Sequence, residues 1–202
     1  MYIELRKNPE EPSNESLSLY ELQAKSLFNI GKNKKAMALL EQVVEIRGTT
    51  LAADHPIRLL SQHDLAIAYR ANGQVKEAVE LLEQVVKIKG TTLAADHPDR
   101  LATQHTLGTA YDANGQVKEA VKLLEQVVKI RGTTLAADHP DQLASQHALA
   151  IAYKSNGKVK EAVELLEQVV GIKRFKYSES HPSRVVSEET LSFFLQQSGS
   201  RS

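Results

Sequence analysis

HPDRLATQHTLGTAYDANGQVKEAVKLLEQVVKIRGTTLAAD, residues 97–138, is the stretch on which the fold turns. It begins with the His-Pro pair of His97 and Pro98, and the same pair recurs at His55, His139 and His181, each 42 residues from the next. Tyr69, Tyr111 and Tyr153 keep that step, as do Gly31, Gly73, Gly115 and Gly157, so the period reaches back into a divergent first copy. Self-similarity at a period of about 20 to 50 residues marks a solenoid, propeller or other array. Leucine, alanine, glutamate, glutamine and lysine dominate both halves of the unit, on either side of Asn114-Gly115, and this selects helices.

The first helix of the quoted unit is expected to open near Asp96, His97 and Pro98. Aspartate can cap free N–H groups, and proline suits an opening turn. It is expected to stop around Asn114 and Gly115. At about 100° per residue, Leu101, Gln104, Leu107, Gly108 and Tyr111 fall on one side, with Ala102, His105, Thr109 and Asp112 roughly opposite. The second helix opens near Val117 and carries Ala120, Val121, Leu123, Leu124, Val127, Val128 and Ile130. That apolar arc is too wide for one partner, so the helix must touch neighbours on both sides, as a solenoid helix does.

Composition bounds the function. The 202 residues are 42% apolar, enough for a sizeable core. Lysine plus arginine and aspartate plus glutamate each total 25, so no whole-chain field draws in nucleic acid or an acidic membrane. With no cysteine there is no disulfide framework and no thiolate chemistry, which fits a cytoplasmic location. The opening MYIELRKNPEEPSN lacks an apolar signal core, and no stretch approaches the roughly 20 apolar residues of a membrane span.

Leu107-Gly108-x2-Tyr111, then Gly115, Ala120-x3-Leu124 and Pro140, resembles the tetratricopeptide signature. Ala66 and Ala150 stand where Gly108 does, and Ala78, Ala120 and Ala162 supply the small residue at a close helix crossing. Gln62, Gln104 and Gln146 replace the signature's tryptophan, Leu82, Leu124 and Leu166 its second-helix aromatic, and the period is 42 rather than the usual 34. The longer period, with LxxDHP between hairpins, resembles the kinesin-light-chain type. LASQHALAIAY and ANGQVKEAVELLEQVV are more similar still to C-terminal repeats of fungal NACHT or NB-ARC (NLR-like) signalling ATPases. The resemblance implies an all-α solenoid of helix-turn-helix repeats forming a right-handed superhelix, with the eight extra residues per unit, KIRGTTLA at 129–136, prolonging the second helix. The organisation expected is an N-terminal tail at 1–12, an array over 13–197 and a C-terminal tail at 198–202. Within the array, repeats run 13–54, 55–96, 97–138 and 139–180, closed by a capping helix at 181–197.

Copies 55–96 and 97–138 differ at nine of 42 positions, and seven of the nine lie in the first helix: Ile57/Asp99, Leu60/Ala102, Ser61/Thr103, Asp64/Thr106, Ala66/Gly108, Ile67/Thr109 and Arg70/Asp112. All but the Ala/Gly exchange are expected off the core face, while Lys76, Glu77, Glu83 and Gln84 do not drift. In tetratricopeptide arrays the first helices line the concave groove, so the resemblance implies a peptide-binding row. That row is Leu60, His63, Ile67 and Arg70, then Ala102, His105, Thr109 and Asp112, then Ala144, His147, Ile151 and Lys154.

His63, His105 and His147 stay constant amid the drift. A metal ladder is not expected from them: zinc needs ligands at about 2.0–2.1 Å, whereas neighbouring helices stand roughly 8–10 Å apart. A half-buried imidazole packed between first helices is the expected role. His63-Asp64 and Asp54-His55 are adjacent helical residues pointing different ways, and no nucleophile is tied to them. No P-loop or GxGxxG occurs. The expectation is therefore a protein- or peptide-binding module with no enzyme activity, no cofactor, no nucleic acid and no membrane. It is expected to be the recognition region of a larger signalling ATPase; a kinesin-light-chain-like scaffold or cargo adaptor is the alternative.

Overall fold

The computed structural model describes residues 13–199, and every regular element among them is helical. The chain divides into two compact units, residues 1–93 and 94–202. The first holds α1 (Asn14–Asn29), α2 (Asn33–Thr50), α3 (Pro56–Ala71) and α4 (Val75–Thr92). The second holds α5 (Pro98–Ala113), α6 (Val117–Thr134), α7 (Pro140–Ser155), α8 (Val159–Lys176) and α9 (Pro182–Gly199). Within each unit, consecutive helices pack on one another, and in the second unit α5 also touches α7.

The units begin and end where their local chemistry dictates, with one correction. The N-cap of α5 is His97, not Asp96: its Nδ1 accepts the Asp99 N–H at 3.1 Å, and Pro98 takes the first helical position. His55, His139 and His181 do the same for Ile57, Asp141 and Ser183 at 3.1–3.2 Å, so the recurring histidine of each His-Pro pair is a cap. At the other end of α5, Gly115 sits at φ +80°. Its N–H bonds the Asp112 carbonyl and the Gln116 N–H bonds the Tyr111 carbonyl, a Schellman close that an L side chain would strain.

The second helices do continue through the Gly-Thr-Thr segment. In α6, Thr133 and Thr134 turn their hydroxyls onto the Ile130 carbonyl at 2.8 and 3.1 Å, removing polar groups that would otherwise compete with the helix. Leu135 then leaves in an extended conformation. What holds the extra turn is the buried cation in it: Arg131 in α6, and Arg47, Lys89 and Lys173 in register.

Each second helix buries one pattern, Ala-x3-Leu-x2-Val-x3-Arg/Lys, as in Ala120, Leu124, Val127 and Arg131. Ala120, Val121 and Leu124 of α6 join Ala148, Leu149 and Ala152 of α7 in one core, with Tyr111 against it. Ala162, Leu166 and Val169 of α8 join Leu143 and Ala150 of α7 and Phe194 of α9 in another. The wide apolar arc thus has a helix on each side, as its width requires.

The helix crossing is tight. A Cβ placed on Gly108 would stand 2.7 Å from Leu124 Cγ. Sister hairpins nevertheless carry fully buried Ala66 and Ala150 there, with buried Leu82 and Leu166 in the register of Leu124. The obstacle is the branched end of Leu124, Cγ and Cδ2, for which those hairpins make room. Gly108→Ala is therefore expected to stabilise the chain by about 0.5–1 kcal/mol through helix propensity and a less flexible unfolded chain. A lower melting temperature would show that Leu124 cannot yield.

Candidate functional site

Of the seven first-helix differences, Ser61/Thr103 and Asp64/Thr106 do not lie off the core. Ser61, Thr103 and Thr106 are buried, and Asp64 is half-buried. Threonine hydroxyls at Thr103 and Thr106 satisfy themselves on the carbonyls of Asp99 and Ala102 at 2.8 and 3.0 Å. That local bonding is what allows a polar residue inside. The variation left on accessible surface is Ile57/Asp99, Leu60/Ala102, Ile67/Thr109 and Arg70/Asp112.

Ser61 and its counterparts belong to a repeated polar junction. In the first unit, the Arg47 guanidinium of α2 donates to the Glu21 carboxylate of α1 and to Ser61 Oγ of α3. Ser61 Oγ lies 2.8 Å from the same Glu21 oxygen. In the second unit, Arg131 donates to Ser145 Oγ at 2.6 Å and to the Asp141 carbonyl at 2.9 Å, while His105 Nδ1 stands 3.3 Å from that hydroxyl. Lys173 repeats the arrangement with Ser187 Oγ at 2.8 Å, and His147 Nδ1 is 2.9 Å away. A second helix thus delivers a cation to a hydroxyl on the following first helix, and the residue facing it from the preceding first helix is Glu21, His105 or His147. This accounts for two of the three constant histidines: at His105 and His147, Nδ1 is engaged in packing one repeat onto the next. Among the described residues, no three His, Asp or Glu side chains are grouped to hold a metal ion.

The environment of His147 has a measurable consequence. Burial, and then the charge of Lys173, push its pKa down from 6.5 to about 4. Burial also lowers Lys173 itself. Because the folded-state value lies below the unfolded one, the unfolded chain takes up the proton first. The contribution of neutral His147 is present above about pH 6.5 and is lost as pH falls toward 4. Chemical denaturation across that window is expected to show falling stability, with a shallower slope in His147→Gln. Equal slopes would remove His147 as the cause.

His63-Asp64 departs from the sequence reading, which had the pair pointing apart. His63 Nδ1 lies 3.7 Å from Asp64 Oδ1, and the Lys25 ammonium of α1 lies 3.1 Å from Oδ2. Burial pushes the Asp64 carboxyl up, but His63 and Lys25 outweigh it and hold the group below its ordinary value. His55, the other half of the second pair, is occupied as a helix cap.

The predicted row separates by unit. On α3, Leu60 and Arg70 are exposed, and His63 and Ile67 are half-buried. On α5, Ala102, His105, Thr109 and Asp112 are all half-buried, and Asp112 Oδ1 is buried without a hydrogen-bond partner. On α7, Ala144 is exposed, while His147, Ile151 and Lys154 are half-buried. The histidine contacts place α5 beside α7 and α7 beside α9, so in the second unit the row is continuous across first helices. Lys154 reaches onto α9: its ammonium lies 5.7 and 5.2 Å from the Phe193 and Phe194 ring centres.

Val186 and Phe193 extend the row and were missed. They are 53% and 54% exposed and stand 42 residues after Ala144 and Ile151. Carrying the period into the last helix would have found them. In the second helices, Glu125 accepts the Tyr153 hydroxyl at 2.8 Å, as Glu41 accepts Tyr69 at 3.1 Å. Burial and these carboxylates raise both phenols to about 12. A Glu125 substitution therefore disturbs an inter-repeat contact and is no neutral surface probe.

Tetratricopeptide repeat models match residues 15–91, 100–141 and 142–183. The chain belongs to the tetratricopeptide repeat family. Among solved structures, it is 56% identical to the nearly identical TPR-like repeats of a Podospora anserina kinesin light chain-like protein, covering 92% of this chain and 88% of that one, with a TM-score of 0.78. BtubC (BKLC) from P. vanneervenii is 16% identical over 92% of this chain and 72% of that one, TM-score 0.71. MamA from Desulfovibrio magneticus RS-1 is 17% identical over 91% and 85%, TM-score 0.59. These two share the tetratricopeptide fold alone. No curated protein matches the chain. Among the described residues, no helix is long and apolar enough to cross a membrane.

Proposed function

We propose that this tetratricopeptide array is a protein- or peptide-binding module whose ligand lies along the first-helix row, and that it serves as the recognition region of a larger fungal NLR-like signalling ATPase in the cytoplasm. The observation that carries the binding reading is the contrast between row and scaffold. Arg70, Asp112 and Lys154 occupy one register in which the sign of the charge changes from copy to copy, whereas each second helix keeps its buried Ala, Leu, Val and basic residue. Chemistry that varies on a constant frame suits recognition. The Podospora relative supports the fungal part of this reading. A second reading, a scaffold or cargo adaptor joining two proteins, is favoured by that relative's kinesin light chain-like description. An adjoining P-loop domain in the parent protein would select the first, and an adjoining heptad coiled coil the second.

The test is titration calorimetry of a partner captured from native lysate, with melting curves alongside. Asp112→Ala combined with Lys154→Ala is expected to weaken binding tenfold or more. The stability change is expected to stay near 0.5–1 kcal/mol, because Lys154 also gives up its contacts with the Phe193 and Phe194 rings and its hydrogen bond to Gln197. If the double variant binds normally while Lys118→Ala on α6 abolishes binding, the ligand uses the second helices and the assignment of the row is wrong.

A further inference from the structure

Asp112 and Lys154 stand in one register of α5 and α7, and both are half-buried. Each lies in the last turn of its helix, where the unpaired backbone carbonyls put a partial negative charge. Lys154 suits that end, as Arg70 does in the last turn of α3, but Asp112 carries the sign that a helix end repels. The last turn of α5 holds no basic residue to offset it. Nor is the carboxylate neutralised from elsewhere: among the described residues no ion pair involves Asp112 or Lys154. Lys154 turns forward to α9, where its ammonium meets neutral groups, the Gln197 side-chain carbonyl and the Phe193 and Phe194 rings. A carboxylate kept at the unfavourable end of an otherwise well-formed helix breaks a local rule that the fold gains nothing by breaking, and such breaks concentrate at functional positions.

Within the peptide-binding reading of the row, on which this rests, we infer that α5 and α7 take an extended peptide with a basic and an acidic side chain about four residues apart. The basic side chain lies at Asp112 and the acidic one at Lys154. Neighbouring helices stand roughly 8–10 Å apart. Lys154 carries its ammonium past α7 onto the α9 rings, so the two charges are separated by more than one such spacing and less than two. An extended chain crossing the helices at about 3.3 Å per residue covers roughly 13 Å in about four residues. Ile151, half-buried one turn before Lys154, offers that stretch an apolar contact. A like charge set against either group is repelled, so the pair selects both the composition and the register of the ligand. The occupant is a peptide crossing the row and not a further helix of the array. Second helices α6 and α8 already pack on α5 and α7, and α5, α7 and α9 already stand side by side. A helix added beyond α9 packs on α9 and leaves Asp112 uncovered.

The probes are four acetylated nonapeptides of serine, leucine and tyrosine that differ only at two positions four apart: Arg and Glu, Ala and Ala, Arg and Arg, or Glu and Glu. Each is titrated into the whole chain at low salt by fluorescence anisotropy, with melting curves alongside. The Arg and Glu peptide is expected to bind at least tenfold more tightly than the other three, and to lose most of that margin at about 1 M salt. Asp112→Arg gives α5 the side chain that α3 carries as Arg70. It is expected to raise the melting temperature by removing the misplaced carboxylate, to lose the Arg and Glu peptide, and to take the Glu and Glu peptide in its place. Equal binding of all four peptides, weakened alike by Ile151→Gln, leaves the row as the binding surface and overturns its charge pattern. Binding indifferent to Ile151→Gln, or no binding up to about 1 mM, overturns the row itself. A lower melting temperature in Asp112→Arg means that the fold requires the carboxylate, and overturns its assignment to a ligand.

Discussion

Replacing Arg47 with alanine is expected to cost about 3–5 kcal/mol of unfolding free energy, the scale for breaking a buried ion pair by removing one partner. Arg47 is completely inaccessible and Glu21 only 9% exposed. Deleting the guanidinium leaves the Glu21 carboxylate with Ser61 alone, and removes a third contact, to Ser18 Oγ at 3.3 Å. The cost arises from the stranded charge more than from any large net value of the pair. Glu21→Met together with Arg47→Met is accordingly expected to recover most of the loss, since apolar replacement of a buried ion pair is often neutral or stabilising. Urea denaturation of Glu21→Met, Arg47→Met and the double variant forms a double-mutant cycle with a large coupling energy. Additive losses would mean that the two side chains act independently.

Tyr153→Ala carries the second large effect, toward the lower end of the about 3–5 kcal/mol for truncating a core aromatic, because the ring is only partly buried. The ring packs against both cores of the second unit, Ala120, Leu124 and Leu149 on one side and Ala150, Leu166 and Phe194 on the other. Truncation opens a void where three helices meet. Tyr153→Phe keeps the ring and gives up the 2.8 Å bond to Glu125; it is expected to cost only about 0.5–1.5 kcal/mol. Denaturation midpoints of the two variants separate packing from the hydroxyl. Similar losses would mean that the Glu125 bond dominates.

The positions of the proposed row were legible only in part. The 42-residue period and the first-helix drift picked out Leu60, Ile67, Arg70, Ala102, Thr109, Asp112, Ala144, Ile151 and Lys154, and the helices set these out in register. The same drift misplaced Ser61/Thr103 and Asp64/Thr106. A serine or threonine looks like surface in a sequence and is buried here because its hydroxyl bonds a carbonyl four residues back. Whether a polar residue faces water depends on that bond, and residue type does not report it.

The sequence by itself determined the kind and order of the elements: two helices per 42-residue repeat, the neighbourhood in which each repeated first helix starts and stops, and the small residue at each crossing. These are local properties, set by the proline and glycine at fixed offsets and by apolar spacing at the helical period. Only the tertiary structure decided the meaning of the polar residues that keep the period. Arg47, Arg131 and Lys173 each find partners on helices 14 or more residues away in the chain. Glu125 and Tyr153 meet across 28 residues, and His147 and Ser187 across 40. A charge or an imidazole costs nothing on a solvated face and a great deal when buried alone. Its role therefore follows from which side chain stands opposite, and that is settled when one repeat closes on the next.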